Sequence, residues 1–305
     1  MEYRQDIVAE IRLDALRHNL QQFQQYIEPS EIIAVVKADA YGHGAVRVAE
    51  TCADEGVSSM AIATIEEAVE LRDAGISATL ILLGKVWEHY LDALYQYDIQ
   101  PVIGSADDLE LISGAAEERR LSLQVHLEVD TGMGRSGALP DAAYQTAARI
   151  IGHSYLQLVG VMSHFATAEE IGSELADLQK ERFRALQQNI AGLTGEKERP
   201  LFHLANSGGT LYLSGVNYDQ VRLGLSLYGI APTTQQTPPL DLKPLMQLTS
   251  RVGYVRNVPA GWTVGYGATY NTDESSTLCY CAGGYEDGIP RRYGNTGEVD
   301  RKSVV

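Results

Sequence analysis

Basic side chains are in short supply: 24 Lys and Arg stand against 40 Asp and Glu, a formal charge of −16. A chain this acidic cannot neutralise phosphates unaided, which argues against nucleic-acid binding and against an anionic membrane surface. Cysteine is scarce too. Three in 305 residues, an odd number, offer no disulfide framework. Cys279 and Cys281 have no second cysteine or histidine pair near them in sequence, so no metal site is expected. No apolar run is long enough to span a bilayer, and the opening stretch MEYRQDIVAE lacks the basic-then-apolar order of a leader. The expectation is a soluble, cytoplasmic protein.

What is present is a regular alternation. Eight short apolar or β-branched runs lie at 32–36, 60–64, 79–84, 101–104, 123–129, 156–166, 201–206 and 221–230. Segments with apolar spacing of three and four separate most of them, such as TIEEAVELRDAG (64–75) and WEHYLDALYQYD (87–98). Thr64 and Glu67 make a capping box, and Gly75 sits where that helix should stop. Strands alternating with helices imply a parallel sheet, and eight units predict a closed (β/α)8 TIM-type barrel. An open doubly wound sheet is the alternative, but no G-x-G-x-x-G follows any of these runs. The seventh unit is the weakest, because SGGTLYL is short for a crossover helix.

Near residue 232 the texture changes to APTTQQTPPLDLKP, a linker or domain edge. Beyond it the chain alternates with turn signals such as PAGW and reads as antiparallel β. The expected division is a barrel over 1–239 and a partial, mainly antiparallel β domain over 240–305. Residues 1–13 contain a strand-like run free to pair with the β domain, which at about 65 residues is marginal alone.

In a barrel, chemistry gathers where strands end. The first strand runs straight into Lys37, with Tyr41 in its loop. Such a lysine either snorkels into solvent or is held there to act as an amine. The fifth strand leads to Glu128, Asp130 and Arg135, the sixth to His164, the seventh to His203, Asn206 and Ser207; the eighth opens with Arg222 and Gly224. Singly, His164 reads as a satisfied barrel histidine and SGG as a plain turn. Together they suit a small anionic ligand carrying a phosphate, which glycine-rich amides and serine hydroxyls hold well. A Schiff-base lysine completes a pyridoxal phosphate site. A cofactor-free aldolase would use Lys37 but leave the phosphate constellation without a purpose.

The segments AVVKADAYGHGA, HLEVDTGMGRSG, MSHFATAEE, HLANSGGTL, VRLGLSLYGIAP, VGYGATY and GGYEDGIPRR, taken in order, resemble the motif series of the bacterial alanine racemases. That resemblance implies a pyridoxal 5′-phosphate barrel with a C-terminal β domain, in a head-to-tail homodimer whose subunits complete each other's sites. It implies interconversion of L- and D-alanine, supplying D-alanine for peptidoglycan. Lys37 resembles the lysine that holds the cofactor and then serves as one base, and Tyr266 resembles the base reaching in from the other subunit. By the same resemblance, His164 bonds Tyr266, and Arg222 holds His164 and faces the pyridine nitrogen. Tyr41, Asn206, Ser207, Gly224 and the amide of Leu225 match cofactor contacts. Arg135 matches the substrate-carboxylate arginine and Tyr285 an entrance tyrosine.

Two departures from the family pattern stand out. Many relatives carry a carbamylated lysine where this chain has Glu128, which supplies a carboxylate directly to brace Arg135. The family chain also continues for several dozen residues past Val305, so a C-terminally truncated relative is expected. Its absent part would hold a methionine-containing loop and a phosphate-contacting tyrosine. The alternative to an active racemase is therefore a truncated cofactor-binding homologue with little or no activity. A barrel decarboxylase would need a Gly-Gly-Gly phosphate loop or a Cys-Asp-Ser-type motif, and the chain has neither.

Overall fold

The barrel is built from eight short parallel strands: β2 (Glu31–Val35), β3 (Ser59–Ile62), β4 (Thr79–Leu82), β5 (Ile99–Ile103), β6 (Leu123–Glu128), β7 (Leu156–Met162), β8 (Leu201–His203) and β9 (Gln220–Leu223). In this computed structural model, which describes residues 6–194 and 199–300, they pair in the order β8-β7-β6-β5-β4-β3-β2-β9. Between the two end strands Asp219 N donates to Phe202 O at 3.0 Å and Arg222 N to Ala205 O at 2.9 Å, so the ring is nearly closed.

Helices α1 (Leu13–Ile27), α2 (Ala45–Asp54), α3 (Ile65–Asp73), α4 (Leu91–Gln96), α5 (Ala106–Arg119), α6 (Pro140–Ile151), α7 (Glu174–Ala191) and α8 (Ser207–Tyr212) alternate with these strands. Their apolar stripes bury Leu16, Phe23, Val48, Leu71, Ile112, Ile150 and Phe183 against the outward face of the sheet. Local chemistry sets where they start. Thr64 and Glu67 form the expected capping box on α3, and Ser105, Ser173 and Asn206 accept from backbone amides at the starts of α5, α7 and α8. Helix α8 has only six residues, in keeping with the weak seventh unit.

Inside the ring the two halves differ. Ile33, Val35, Ala61, Ile81, Val102 and Met162 form a buried apolar cluster. Gln100, Gln124, His126, His203 and Arg222, on β5, β6, β8 and β9, instead bond to one another. The pairing of β6 with β7 slips between Val125 and His126, which brings His126 opposite Gly160. A Cβ on Gly160 would lie 2.0 Å from His126 Nδ1, so only glycine leaves room for that ring.

Several runs end sooner than their hydrophobicity suggests. The run 221–230 leaves the sheet at Leu223, because Gly224 opens a 3-10 turn over Leu225–Tyr228. The run 156–166 leaves at Met162 and the run 201–206 at His203, freeing Ser163–Phe165 and Leu204–Asn206 as loops. The segment 87–98 is a 3-10 turn (Glu88–Tyr90) followed by α4.

Residues 12–245 form one compact unit, and residues 1–11 with 246–305 the other. The first reaches six residues beyond 239 because Leu245 is fully buried, its N–H bonded to Tyr228 O, and because Asn19 bonds both the N–H and the C=O of Lys243. In the second unit β1 (Ile7–Ile11) pairs antiparallel with β10 (Met246–Ser250), Ile7 opposite Ser250. Strand β11 (Val252–Val258) pairs with β14 (Ser276–Cys281), and β12 (Thr263–Val264) with β13 (Tyr270–Asn271), all antiparallel. Residues 1–5 and the tail 301–305, both within the expected domain spans, lie outside the described residues. Among the described residues no helix is long and apolar enough to cross a membrane.

Candidate active site

A cavity of about 530 Å³ opens where the barrel strands end, lined by Lys37, Tyr41, Glu128, Arg135, His164, Asn206, Ser207, Arg222, Gly224 and Leu225, among others. Strand β2 delivers Lys37 to it. Val36 N donates to Ala61 O, and the four residues after Lys37, namely Ala38, Asp39, Ala40 and Tyr41, all take positive φ between 51° and 55°. One left-handed turn of L-residues costs about 1–2 kcal/mol per residue, so the surroundings must hold it. Ala38 N donates to Glu67 Oε1 at 2.6 Å, while Glu67 Oε2 accepts from Ala63 N at 2.7 Å. Asp39 Oδ1 accepts from Ala45 N at 2.7 Å. Tyr228, buried, stacks near Tyr41 and His43 and donates to Val35 O at 2.8 Å. The ammonium at the end of a buried strand is thus placed deliberately over a cavity.

One side of the cavity suits an anion. Ser207 Oγ accepts from Gly224 N at 3.1 Å and Ser226 N at 3.3 Å, which leaves its own proton free to donate. The Leu225 N–H stands first in its 3-10 turn, where no carbonyl of the turn can reach it. A Cβ on Gly224 would fall 2.7 Å from Tyr41 Oη, so the glycine makes space for the phenol. Burial raises the Tyr41 pKa, which keeps the hydroxyl protonated as a donor. These groups fit a phosphate ester.

Across the cavity stands Arg222, 3% exposed. Nη1 donates to His203 O at 2.6 Å and His203 Nδ1 at 2.8 Å; Nη2 donates to Leu204 O at 3.1 Å and to Ser163 O, and lies 3.4 Å from His164 Nδ1. Among the described residues nothing accepts from Nε–H, the donor left for a ligand in the cavity. Burial lowers the Arg222 pKa to about 10, with Glu128 opposing it, so the guanidinium stays charged at neutral pH. Burial and then Arg222, Arg135 and Lys37 push His164 down to about 3, so its imidazole is neutral. Asn206 turns its Oδ1 to Gly209 N in capping α8 and sets its Nδ2 3.3 Å from His164 Nε2. Its Nδ2 also donates to Phe165 O at 3.3 Å, and it donates to His164 only in the tautomer that leaves Nε2 bare.

Arg135 is carried by a loop folded around Asp130. The Asp130 carboxylate accepts from the amides of Gly132, Met133 and Gly134 at 2.8–3.1 Å. Burial works against its ionisation, but those amides and Arg182 prevail and its pKa lies below the usual range. The buried Glu128 carboxylate lies 4.0 Å from Arg135 Nη2.

Tyr266 and Tyr285 belong to the other unit and are 98% and 79% exposed. Tyr266 sits on a turn between Gly265 (φ 73°) and Gly267 (φ 79°). Both tyrosines are presented outward, with no role in their own unit's core. Glu67 is legible in the sequence only as a capping residue, and His126 and Gln100 are not legible as site residues. The signal for His126 is polar residues two apart in LQVHLEV, and for Glu67 a second oxygen idle in the capping box; Gln100 has none.

Comparison with known proteins agrees with this geometry. The family model "Alanine racemase, N-terminal domain" matches residues 11–232 and "Alanine racemase, C-terminal domain" matches 245–303. Alanine racemase from Synechocystis sp. is 38% identical over 299 residues, 97% of this chain and 80% of that protein. The alanine racemase of Halothermothrix orenii is 35% identical, over 95% of this chain and 76% of its own. Among solved structures, alanine racemase from the D-cycloserine producer Streptomyces lavendulae superposes with a TM-score of 0.87 at 35% identity, covering 95% of this chain and 77% of that one. With both domain models matched in order and the strand ends converging on one cavity, the chain belongs to the alanine racemase family.

Proposed function

We propose that this alanine racemase interconverts L- and D-alanine with pyridoxal 5′-phosphate, using Lys37 and Tyr266 as opposing bases. What carries the reading is the convergence on one cavity of an amine, a Ser207–Gly224–Tyr41 anion cradle and the unspent Nε–H of a buried Arg222. The reading as an inert homologue is not favoured, since the family match spans both domains. Pyridoxal phosphate, when bound, supplies a carbonyl for the amino group and a ring that draws electron density from Cα.

This chain's residues do the rest. Ser207, Tyr41 and the Leu225 amide bind the phosphate. Arg135, braced by Glu128 without carbamylation, orients the substrate carboxylate. Lys37 exchanges a proton with one face of Cα, and Tyr266 of a second copy of the chain serves the other face. Neutral His164 bonds that phenol. Because Arg222 only donates, an acceptor nitrogen before its Nε–H stays unprotonated, which keeps electron withdrawal modest and disfavours transamination. The product serves as D-alanine for peptidoglycan in the cytoplasm, and Tyr285 stands at the entrance of the partner's site in a homodimer.

The test is a cofactor absorbance spectrum followed by D- to L-alanine turnover on one sample. Lys37→Ala should lose both the band and turnover. Tyr266→Phe should keep the band and lose turnover about a hundredfold or more. Mixing the two inactive variants should restore activity if sites are shared between subunits. A wild-type protein without the band sinks the assignment of Lys37, and full turnover in Tyr266→Phe sinks the two-base pairing.

A further inference from the structure

Behind Arg222, the barrel interior holds a run of polar side chains that the reaction does not touch. His203 Nε2 lies 3.1 Å from His126 Nδ1, and His126 Nε2 lies 2.9 Å from Gln100 Oε1. Gln100 Nε2 donates to Gln124 Oε1 at 2.5 Å, and Gln124 Nε2 to Gln157 Oε1 at 3.5 Å. The run begins at the cavity and ends among exposed glutamines at the opposite end of the strands.

The direction of every bond in it follows from one fact: a guanidinium has five N–H donors and no acceptor. His203 Nδ1, 2.8 Å from Arg222 Nη1, must therefore accept. A neutral imidazole has one proton, so the proton of His203 is on Nε2, where it donates to His126 Nδ1. That forces the proton of His126 onto its own Nε2, which donates to Gln100 Oε1. The amide of Gln100 is then turned with its NH2 toward Gln124. Each group has one orientation compatible with its neighbours.

We propose that His203 and His126 are positioning residues for Arg222. They form a one-way donor chain, locked as Nε2–H tautomers, that aims the guanidinium from inside the barrel. Three independent features support this. His203 and His126 are wholly buried, and their rings meet edge to face at 79°. Gly160 and the register slip beside it exist to admit the His126 ring, since any Cβ at 160 would occupy its Nδ1. Burial, then the Arg222 charge, lower the pKa of both rings, that of His126 to about 3, so both are neutral at neutral pH. The chain ends in amides, which orient but do not relay protons, so it fixes geometry instead of conducting. The purpose of that geometry, an Nε–H aimed at the cofactor, rests on the function proposed above.

The test uses the full chain with and without pyridoxal phosphate. In 15N spectra of histidine-labelled protein, two imidazoles, assigned by their loss in His126→Gln and His203→Gln, should show a bare Nδ1 and a protonated Nε2 at pH 7 and at pH 5. An Nδ1–H tautomer or a protonated ring at either position overturns the proposal, whatever the activity turns out to be. For function, His126→Leu removes an acceptor, and Gly160→Ala displaces the ring without removing any polar group. Both should lower kcat about tenfold to a hundredfold through misplacement, with a shifted cofactor absorbance maximum and a nearly unchanged KM for alanine. His126→Gln, which offers an acceptor again, should recover most of the loss. Variants that fold with a lowered melting temperature but normal kcat and spectrum would reduce the chain to a structural filler. If both variants fail to fold, the tautomers of the wild-type protein decide. A wild type that does not racemise alanine defeats the functional reading alone, because the tautomer result stands without it.

Discussion

The two halves of the barrel interior solve the same packing problem with opposite chemistry. On the β2–β4 side, Ile33, Val35, Ala61 and Ile81 close the ring with apolar contacts that have no direction. On the β6–β9 side, where Met162 is the apolar exception, His126, His203 and Arg222 close it with bonds that each have a donor and an acceptor. Apolar packing tolerates exchange of similar volumes, whereas a buried polar network is high-stakes because each member depends on the next. The polar half is therefore suited to holding a charge at a fixed angle, and it carries Arg222, His164, Glu128 and Arg135 to the cavity. The apolar half contributes Lys37, whose aim comes from a left-handed turn strapped by Glu67.

The sharpest way to break this comparison is Arg222→Leu. Racemase turnover per folded protein should fall about a hundredfold to a thousandfold, as expected for a donor placed where charge develops. Retained turnover measured with D-alanine would remove the polar half's functional claim. Next, Ile81→Asn puts an unpaired amide in the apolar half and should cost about 2–3 kcal/mol in urea unfolding. Its specific activity, corrected for folded fraction, should stay near wild type; a selective loss of kcat would erase the distinction between the halves.

A third test uses pH. Burial, then Arg222, lower the folded pKa of His126 to about 3 and that of His203 well below its usual value, against about 6.5 unfolded. Between those values the unfolded chain binds more protons, so stability falls as pH drops below about 6.5 and is insensitive to these groups above it. Each such histidine adds up to about 1.4 kcal/mol per pH unit. His126→Gln should flatten the slope of stability between pH 6 and 5, and an unchanged slope would show that His126 does not titrate on unfolding. The smallest effect is expected at Glu128, where Glu128→Gln should raise the KM for alanine several-fold with little change in kcat. An unaltered KM would mean that Arg135 needs no brace.

Much was legible in the chain itself. The alternation of apolar runs with helical spacing yields a barrel, because strand and helix have different periods that composition alone can display. Lys37, Arg135, His164 and Ser207 follow apolar runs in the sequence, and barrel geometry makes strand ends converge; Arg222 reads as the opening of its run and lies near a strand end only because β9 stops at Leu223. The ends of the runs were less legible, since Gly224 turns the chain out of the sheet inside an uninterrupted apolar stretch.

His126 shows where reading the sequence stops. Gln124, His126 and Glu128 alternate along β6, yet nothing local says that they point into the barrel or that Gly160 stands opposite. Pairing across β6 and β7, set by a one-residue slip, decides that. The residue types and their order determined the family, the barrel and the groups offered to its mouth, because those depend on local pattern. The direction of each bond behind Arg222 was decided only by the closed tertiary structure, because a hydrogen bond's polarity is settled by its neighbour in space.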